Sequence, residues 1–304
     1  MLEQTTLVAD RLTKVIGKKT IVDEVSFELR PGEVFGFLGP NGAGKTTTIR
    51  MLVGLIRPTK GTVRICGHDL GREFEKALAC VGCIVETPDL YRFMSGRENL
   101  EHFARMLGKV EPEEIERVAA LVALSNRLED RVRTYSLGMR QRLGIAQALL
   151  GKPRVLILDE PANGLDPAGI REIRALLRSL AARNGMSILV SSHLLAEIEL
   201  MCDRVAIIHH GHILRTGRVA DLIAASREME LTVDRPDLAA DLARNLGMTP
   251  SLYDHTLRLP AGRDETATLI EALTAGGVKV YRAQLHQHTL EEMFLEATGG
   301  ETVL

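Results

Sequence analysis

Bulky aromatic side chains are scarce in this chain of 304 residues. It has no Trp, four Tyr and seven Phe, so it offers few rings on which the bases of a single-stranded nucleic acid could stack. Its formal net charge is -2, which gives no overall basic field to attract nucleic acid or anionic lipid. We therefore expect no nucleic-acid partner.

Long apolar segments are also missing. The apolar runs are short, such as VLIL at 155–158 and SILV at 187–190, whereas a membrane span needs roughly 20 apolar residues. The first twelve residues, MLEQTTLVADRL, carry a charge from the third position onward, unlike a signal peptide. The sequence predicts a cytosolic chain, so any membrane role has to come from a partner.

Cysteines are few and scattered, at positions 66, 80, 83 and 202. Cys80 and Cys83 form a CxxC, a spacing found in redox pairs and in half of a zinc site. No second CxxC or nearby His pair completes a zinc site. Both residues lie in the apolar run ACVGCIV, which favours small buried side chains in a reducing cytosol.

What is present is the composition of a folded protein, with 45% hydrophobic and 26% charged residues. A chain of this length has room for a main domain and a smaller one. The pattern of apolar residues changes after about residue 222, where short strand-like and helix-like patterns begin to alternate. We predict a main domain over residues 1–222 and a small α+β accessory domain over residues 223–304.

Strands and helices alternate in the predicted main domain. Segments rich in β-formers come first, and a helical stretch closed by Arg57 follows them. Helical spacing dominates over about 87–150, which we interpret as an insert between two halves of the domain. The run at 155–158, a helix over 170–183 and the strand SILV follow. This order predicts an α/β fold with a mostly parallel core sheet and an antiparallel β part.

The predicted accessory domain has the order strand, helix, strand, helix, strand. Met229 and Leu231 alternate as in a strand, and a helical pattern begins near Leu269. Thr289 and Glu292 have the spacing of a capping box before a short last helix. About 80 residues suffice for a small core, and a ferredoxin-like module is one arrangement with this order.

The segment GPNGAGKT fits the pattern G-x-x-x-x-G-K-[ST] between a predicted strand and a predicted helix. Its glycines let backbone N–H groups converge on phosphate oxygens, and the helix adds its positive dipole end. In this pattern Lys45 reaches the outer phosphates and the Thr46 hydroxyl is a magnesium ligand. The predicted nucleotide-binding residues here are Gly39, Pro40, Asn41, Gly42, Ala43, Gly44, Lys45, Thr46 and Thr47.

A pair of carboxylates ends the buried strand VLIL. Asp159 is expected at the polar end of the strand, where it can hold magnesium directly or through water. Glu160 follows it and could orient the attacking water as a general base. Because carboxylates often end strands, this pair gains its meaning from its combination with the phosphate loop.

Between these two motifs lies the segment YSLGMRQRLGIAQALL. Ser136 and Gly138 open a predicted helix that carries Leu143 and Ala146 on one face. A Ser and a Gly at a helix N-terminus form a phosphate site. An ordinary helix cap would use Ser136 equally well.

Taken together, these motifs resemble the ATPase subunits of ATP-binding-cassette (ABC) transporters over about residues 5–220. The order of phosphate loop, helical insert, YSLGM, DE strand, ANGLDP and SSH is the order of that family. The resemblance implies a P-loop nucleoside triphosphatase cassette that binds ATP and Mg²⁺ and hydrolyses the ATP. It implies that Ser136 and Gly138 bind the ATP of the opposite subunit. Asp166 would lie at the dimer interface, and His193 would sense the γ-phosphate.

The implied catalytic residues are Glu160, His193 and Lys45. The implied partners are a second ATPase subunit, most simply another copy of this chain, and a separate transmembrane permease. The permease would hold the chain at the cytoplasmic face of the membrane. The segment 86–99 is where the family docks its permease, so we expect the dock there.

Two positions depart from the commonest pattern of the family. Glu86 stands where most members have glutamine, and a carboxylate there is a charged magnesium ligand that cannot donate a hydrogen bond. A solvated loop charge is the alternative. Glu86 and YSLGM resemble the branch of bacitracin-resistance and lantibiotic-immunity exporters, which implies a peptide, drug or similar amphipathic cargo. Ile16 falls where an adenine-stacking aromatic is usual and offers apolar contact without a π face.

The alternative function is a non-transport ABC ATPase that acts on ribosomes or nucleic acid. Ribosomal members usually carry two cassettes, whereas this chain has one, and no sustained heptads indicate the coiled coil of DNA-acting members. A P-loop GTPase would need an N-K-x-D motif, which the sequence lacks. The HHGH run at 209–212 hints at metal, but without a Cys or carboxylate partner set a solvated turn fits better.

Overall fold

The computed structural model describes residues 5–108, 110–225, 227–260, 263–287 and 289–297. The chain divides into two compact units, with the division between Gly217 and Arg218, a few residues before the predicted boundary at 222. Across the described ranges, no helix combines the length and apolarity that a membrane span requires.

The first unit is built from strands and helices in alternation. Its strands are β1 (Leu7–Ile16), β2 (Lys19–Leu29), β3 (Val34–Leu38), β4 (Lys60–Ile65), β5 (His68–Asp69), β6 (Val81–Ile84), β7 (Val155–Asp159), β8 (Ser187–Ser192), β9 (Arg204–His209) and β10 (His212–Arg218). Its helices are α1 (Lys45–Leu52), α2 (Phe74–Leu78), α3 (Gly96–Leu107), α4 (Pro112–Leu121), α5 (Leu137–Leu149), α6 (Pro167–Asn184) and α7 (Leu195–Met201).

Two sheets organise this unit. The larger has the strand order β10-β9-β3-β8-β7-β6, and β3, β6, β7, β8 and β9 pair in parallel within it. The smaller has the order β2-β1-β4-β5 with antiparallel pairing. Every residue of β3, β7 and β8 is buried, as their continuous apolar runs require when both faces of a sheet are covered. The predicted α/β class with an antiparallel part is confirmed.

Two helices differ in extent from their sequence patterns. Helix α1 ends at Leu52, well before Arg57, because Gly54 adopts a left-handed φ of 72° that interrupts the helix. Helix α3 begins after a capping box at Ser95 and buries Leu100. Its last residue, Leu107, is 57% exposed, although it continues the apolar i, i+3, i+4, i+7 spacing that starts at Leu100 and predicts a buried face.

The second unit is a small α+β module. Its elements are α8 (Val219–Ala225), β11 (Arg227–Val233), α9 (Pro236–Asn245), β12 (Ser251–Tyr253), β13 (Thr256–Leu259), α10 (Arg263–Ala275), β14 (Val280–Gln287) and α11 (Leu290–Ala297). The antiparallel sheet has the order β12-β13-β11-β14. From β11 to β14 the chain follows the β-α-β-β-α-β order of ferredoxin-like modules. Strand β12 was not predicted, because its three residues are all exposed and show no alternation.

Candidate functional site

The phosphate loop connects the buried strand β3 to helix α1. Gly44 precedes the helix with φ 107°, a left-handed conformation that favours glycine. A Cβ atom on Gly39 would lie 2.2 Å from the carbonyl oxygen of Ile208, and one on Gly44 would lie 2.9 Å from that of Ile21. The loop is therefore wedged between β2 and β9, and its glycines are required by close backbone approach.

Lys45 is held inside this loop and only 6% of its surface is exposed. Its Nζ donates to the carbonyl oxygens of Gly39 at 2.7 Å and Pro40 at 3.3 Å. It also lies 3.2 Å from Oε1 of Glu160. The ammonium group thus lies against the carbonyl oxygens at the start of the phosphate loop, and its counterion is the carboxylate predicted to act as a base.

Thr46 and Asp159 form a second contact at the start of α1. The Thr46 hydroxyl donates to Oδ2 of Asp159 at 2.9 Å, and the Ser191 hydroxyl donates to Oδ1 at 2.5 Å. Asp159 is only 2% exposed. A hydroxyl and a carboxylate side by side are the hard oxygen donors that Mg²⁺ prefers, so these residues fit the ion that the sequence predicts.

Glu160 connects Lys45 to His193. Its Oε2 lies 2.7 Å from His193 Nδ1, and its backbone N–H donates to the Ser191 hydroxyl at 2.9 Å. Glu160 has a φ of 50°, a left-handed conformation that costs a non-glycine residue about 1–2 kcal/mol. The Glu160 carboxylate contacts Lys45 and His193 from this strained backbone, and backbone strain of this kind clusters at functional sites.

One cavity of about 580 Å³ is lined by four of these residues, Lys45, Thr46, Glu160 and His193. A cavity of this size lies within the range that small-molecule sites occupy. Its wall consists of Lys19, Ile21, Pro40, Asn41, Gly42, Gly44, Lys45, Thr46, Thr47, Glu160, Asn163 and His193. The structure therefore brings together the predicted phosphate loop, the predicted base and the predicted switch histidine.

The predicted signature residues lie elsewhere, next to one another. Ser136 caps α5 by accepting from the N–H of Met139 at 3.2 Å, and Asp166 caps α6 by accepting from Gly169 at 3.1 Å. A Cβ on Gly138 would lie 3.8 Å from the side chain of Leu165, just before Asp166. None of Ser136, Gly138 and Asp166 lines the cavity, so their predicted role in nucleotide binding requires a second subunit.

Two further predicted residues stand outside the cavity wall. Ile16 ends β1, is 55% exposed, and pairs across the hairpin with Lys19. Glu86 has a φ of 68°, follows β6, and forms an ion pair with Arg50 of α1. That ion pair places the Glu86 carboxylate beside the phosphate-loop helix, and its predicted role as a magnesium ligand stays a prediction.

Several residues of the site were not predicted, namely Lys19, Ile21, Asn163, Ser191 and Gly211. Gly211 belongs to the HHGH turn that was interpreted as solvated. Its N–H donates to the Ala43 carbonyl oxygen at 3.0 Å, and its own carbonyl oxygen accepts from the Asp23 N–H at 2.9 Å. The turn therefore holds the phosphate loop by a backbone hydrogen bond. Of these residues, Ser191 could have been found from the sequence. It directly follows the predicted strand SILV, and the carboxyl ends of parallel strands lie at the same edge of a sheet, where Asp159 follows VLIL.

Replacement of Gly211 by alanine should destabilise the phosphate loop. The new Cβ would lie 2.6 Å from the carbonyl oxygen of Ile21, in a backbone with φ +83°. Gly67 is a matched control, because its φ is +86° and nothing lies within 4 Å of a Cβ there. We expect Gly67→Ala to lower the Tm slightly through backbone strain alone. Gly211→Ala should lower it further and weaken ATP binding, and equal effects in both variants would contradict this role.

The cysteine thiols take no part in this site. Burial and a contact with Cys80 raise the pKa of Cys66 to about 11, and burial also raises the pKa of Cys202. Nucleophilic and metal-binding thiols need the thiolate form. Both side chains are therefore protonated at neutral pH and act as packing groups.

Comparison with known proteins identifies the family. Residues 22–163 match the family model described as ABC transporter. "Uncharacterized ABC transporter ATP-binding protein YhcH" of Bacillus subtilis is 48% identical over 297 residues, which cover 97% of each chain. The chain belongs to the ABC transporter ATP-binding proteins. Its ATP-binding and ATP-hydrolysing activity, and its place as the motor of a transporter with a permease partner, follow from this membership.

Two further relatives define the branch and the fold. "Bacitracin transport ATP-binding protein BcrA" of Bacillus licheniformis is 38% identical over 296 residues, which cover 96% of this chain and 97% of that protein. A solved structure described as the ATP binding subunit of an ABC transporter superposes with a TM-score of 0.63 at 30% identity, over 80% of this chain and 94% of that one. The predicted resemblance to the ABC cassette and to its bacitracin branch is confirmed.

Proposed function

We propose that this ABC ATPase powers an exporter of a peptide antibiotic, a drug or a similar amphipathic molecule. The observation that carries the hydrolytic part is the contact of Lys45 and His193 with one carboxylate, Glu160, at 3.2 and 2.7 Å. The cargo class is supported by the similarity to the bacitracin transport protein over 96% of this chain. Both the Glu160 contacts and this sequence similarity concern the ATP-binding domain.

Binding of the triphosphate rearranges the Lys45 contacts. Phosphate oxygens compete with Glu160 for the Lys45 ammonium group, while the loop N–H groups and the α1 dipole add further positive field. Once Lys45 turns to phosphate, the Glu160 carboxylate is free to accept a hydrogen bond from water. In this proposal the Lys45–Glu160 ion pair couples occupation of the loop to exposure of the base.

Glu160 and His193 then act on the attacking water. Glu160 accepts the proton of the water as general base, a role that needs hydrogen-bond reach. His193, at the other carboxylate oxygen, fixes the orientation of Glu160 and lines the same cavity. Ser191 holds the Glu160 backbone in place, so the carboxylate keeps its position throughout.

Thr46 and Asp159 would hold Mg²⁺, with Glu86 as a further ligand. The bound ion supplies charge neutralisation on the phosphate oxygens. Ser191 restrains Asp159 by its hydrogen bond to Oδ1, which keeps the opposite oxygen turned towards Thr46. The Thr46 hydroxyl would therefore have two roles, as a ligand of the ion and as the hydrogen-bond donor that orients Asp159.

The Glu86 ligand role has a direct test. Glu86→Gln should shift the Mg²⁺ concentration that gives half-maximal activity, because an amide has one neutral oxygen donor where the carboxylate is charged. Arg50→Gln is the control, since it breaks the same ion pair but removes no ligand. A metal titration that moves equally in both variants would make Glu86 only an ion-pair partner of Arg50.

A second copy of the chain completes each site in this proposal. Ser136 and Asp166 are exposed on one surface, beside Gly138 and away from their own cavity. Placed over the cavity of another copy, the α5 N-terminus would direct its N–H groups at the outer phosphates. ATP that bridges both surfaces stabilises the closed dimer by differential binding, and hydrolysis releases it.

The permease would dock on the segment after β6. Phe93 is 68% exposed and Tyr91 is 38% exposed, and their rings contact each other at 5.9 Å. Exposed aromatic residues of this kind are enriched in protein interfaces. Docking there would place the chain at the cytoplasmic face of the membrane without a span of its own.

The export proposal is tested by reconstituting this chain with a permease that co-purifies with it. Vesicles that contain both proteins should show ATP hydrolysis that rises on addition of an amphipathic peptide antibiotic and ATP-dependent movement of that peptide. Phe93→Ser should uncouple the two proteins while the isolated chain keeps its basal turnover. Hydrolysis stimulated by ribosomes or nucleic acid, with no effect of peptide, would favour the non-transport alternative.

A further inference from the structure

We propose that Cys66 and Cys80 form a reversible disulfide by exchange with a low-molecular-weight disulfide such as oxidised glutathione. Both residues are free thiols in this structure, and both are half-buried. The site is independent of the proposed function, because neither residue lines the nucleotide cavity. It gives the ATP-binding domain a covalent response to the redox state of small thiols.

The sequence spacing alone points to a different pair, the CxxC of Cys80 and Cys83. Cys83 lies within β6, where it pairs with Ile157 of β7, and Cys80 directly precedes that strand. A strand rises about 3.3 Å per residue, so the two Cα atoms lie about 10 Å apart. A disulfide needs a Cα separation of about 4.4–6.8 Å. The CxxC therefore cannot close while β6 keeps its place in the sheet.

The thiol that the structure places against Cys80 is Cys66. The Cys66 thiol hydrogen-bonds to the Cys80 sulfur, and the Cys80 thiol donates in turn to the carbonyl oxygen of Lys76 at 3.5 Å. In the reduced protein both side chains pack against the same apolar core of the first unit. Helix α2, which ends just before Cys80, also packs against β4 and β5. The two sulfur atoms are already neighbours, so forming an S–S bond of about 2.05 Å requires only local movement.

Cys66 occupies its position in a strained backbone. It is the first residue of the two-residue turn that joins β4 to β5, since Ile65 pairs with His68 across that turn. Its φ is 49°, in the left-handed region where Asn, Asp or Gly is usual in such turns. Cysteine offers the turn itself no advantage over those residues. Backbone strain of this kind is found where a side chain has a further role, and the contact with Cys80 supplies one.

The exchange has two steps, and Cys80 reacts first. Only thiolates attack disulfides, and burial together with the Cys80 contact raises the pKa of Cys66. The Cys80 thiolate attacks one sulfur of the small disulfide, which forms a mixed disulfide and releases one small thiol. Cys66 then loses its proton and attacks the Cys80 sulfur, which closes the protein disulfide and releases the second small thiol. Proximity of the two sulfur atoms favours this step. The protein thereby gives two electrons and two protons to the small disulfide, which becomes two thiols.

The new bond would connect the two sheets of the first unit. Cys66 belongs to the smaller sheet, at the turn between β4 and β5. The Cys80 carbonyl oxygen accepts from the N–H groups of Arg154 at 2.9 Å and Val155 at 3.0 Å, where β7 of the larger sheet begins. Closing a loop of about 15 residues constrains the unfolded chain, so oxidation should raise the Tm by about 5 °C or more. Basal ATP hydrolysis should be unchanged, since other residues line the nucleotide cavity.

The experiment treats the full-length chain with oxidised glutathione and maps the products by mass spectrometry of an unreduced proteolytic digest. We expect two of the four thiols to be lost and one linked pair of peptides to join Cys66 to Cys80. Dithiothreitol should restore all four thiols. A link between Cys80 and Cys83, a glutathione adduct that never closes, or four thiols that stay free would each overturn the proposal.

Three serine variants separate the bond from the packing of the same side chains. In Cys66→Ser the reaction should stop at the mixed disulfide on Cys80, whereas Cys80→Ser should form neither this adduct nor the bond. Cys83→Ser is the matched control, because it alters the CxxC and should still close the Cys66–Cys80 bond. Oxidation should raise the Tm of the parent chain and of Cys83→Ser only. An equal rise in Cys66→Ser would contradict the proposal, since that variant cannot form the bond.

Discussion

Glu160→Gln should lower ATP turnover by about 100-fold or more, because a general base contributes roughly 10²–10⁴-fold to a reaction. The amide keeps the size of the carboxylate but cannot accept the proton of the attacking water. ATP binding should persist or tighten, since Lys45 loses the counterion 3.2 Å away and is freer to contact phosphate. The measurements are phosphate release at saturating ATP and Kd by calorimetry.

The same variant should accumulate as an ATP-bound dimer. Without hydrolysis the closed dimer does not dissociate, so light scattering should show a larger mass with ATP than without it. Glu172→Gln is the control, because it removes one exposed glutamate charge paired with Arg142 at 3.7 Å and leaves the cavity intact. Parent-like turnover in Glu160→Gln would show that another group is the base.

Lys45→Ala should abolish detectable hydrolysis and weaken ATP binding by roughly 10- to 100-fold. Hydrogen bonds to charged groups contribute about 1.5–3 kcal/mol, and the Lys45 ammonium group is the one that reaches the outer phosphates. The loss has a second source, because Glu160 is left without its counterion beside the phosphates. Lys60→Ala, at an exposed position of β4, should change neither binding nor turnover.

A double variant separates these two sources. Lys45→Ala combined with Glu160→Gln removes the unpaired carboxylate together with the ammonium group. We expect it to bind ATP more tightly than Lys45→Ala alone, because the repulsion between Glu160 and phosphate is gone. Equal affinities in the single and double variants would show that the Lys45–Glu160 pair has no influence on binding.

The chain of contacts from Lys45 through Glu160 to His193 is the geometry on which the proposed hydrolysis depends. The Glu160 carboxylate has two polar partners, at 3.2 and 2.7 Å. In the proposed mechanism the phosphates take Lys45 from this carboxylate, and water can then contact the oxygen that Lys45 leaves.

Much of the fold was predictable because its signals are local. The runs at β3, β7 and β8 are continuous and apolar, as is typical of strands in a parallel sheet that is covered on both faces. Helix α6 was placed within a few residues, with Asp166 and Pro167 as its start. The exposed strand β12 and the early end of α1 at Gly54 were missed, because neither leaves a periodic pattern.

The candidate site was predictable to the extent that its parts are consecutive in sequence. GPNGAGKT, the DE pair and SSH each carry their chemistry in a short segment, so their presence and order could be read directly. Ser191, Gly211 and Lys19 were missed. Their roles depend on which strands become neighbours, since Ser191 contacts Asp159 only through β7–β8 pairing.

The sequence by itself determined that this chain has the parts of an ABC ATPase, because the phosphate loop, YSLGM, the DE pair, ANGLDP and SSH are each short segments and follow one another in the order of that family. Only the tertiary structure decided how those parts combine. Gly211 supports the loop, Glu160 bridges Lys45 and His193, and Ser136 lies outside its own cavity. The physical reason is that each of these contacts joins segments far apart in the chain, and their distances are set by sheet order and close backbone approach.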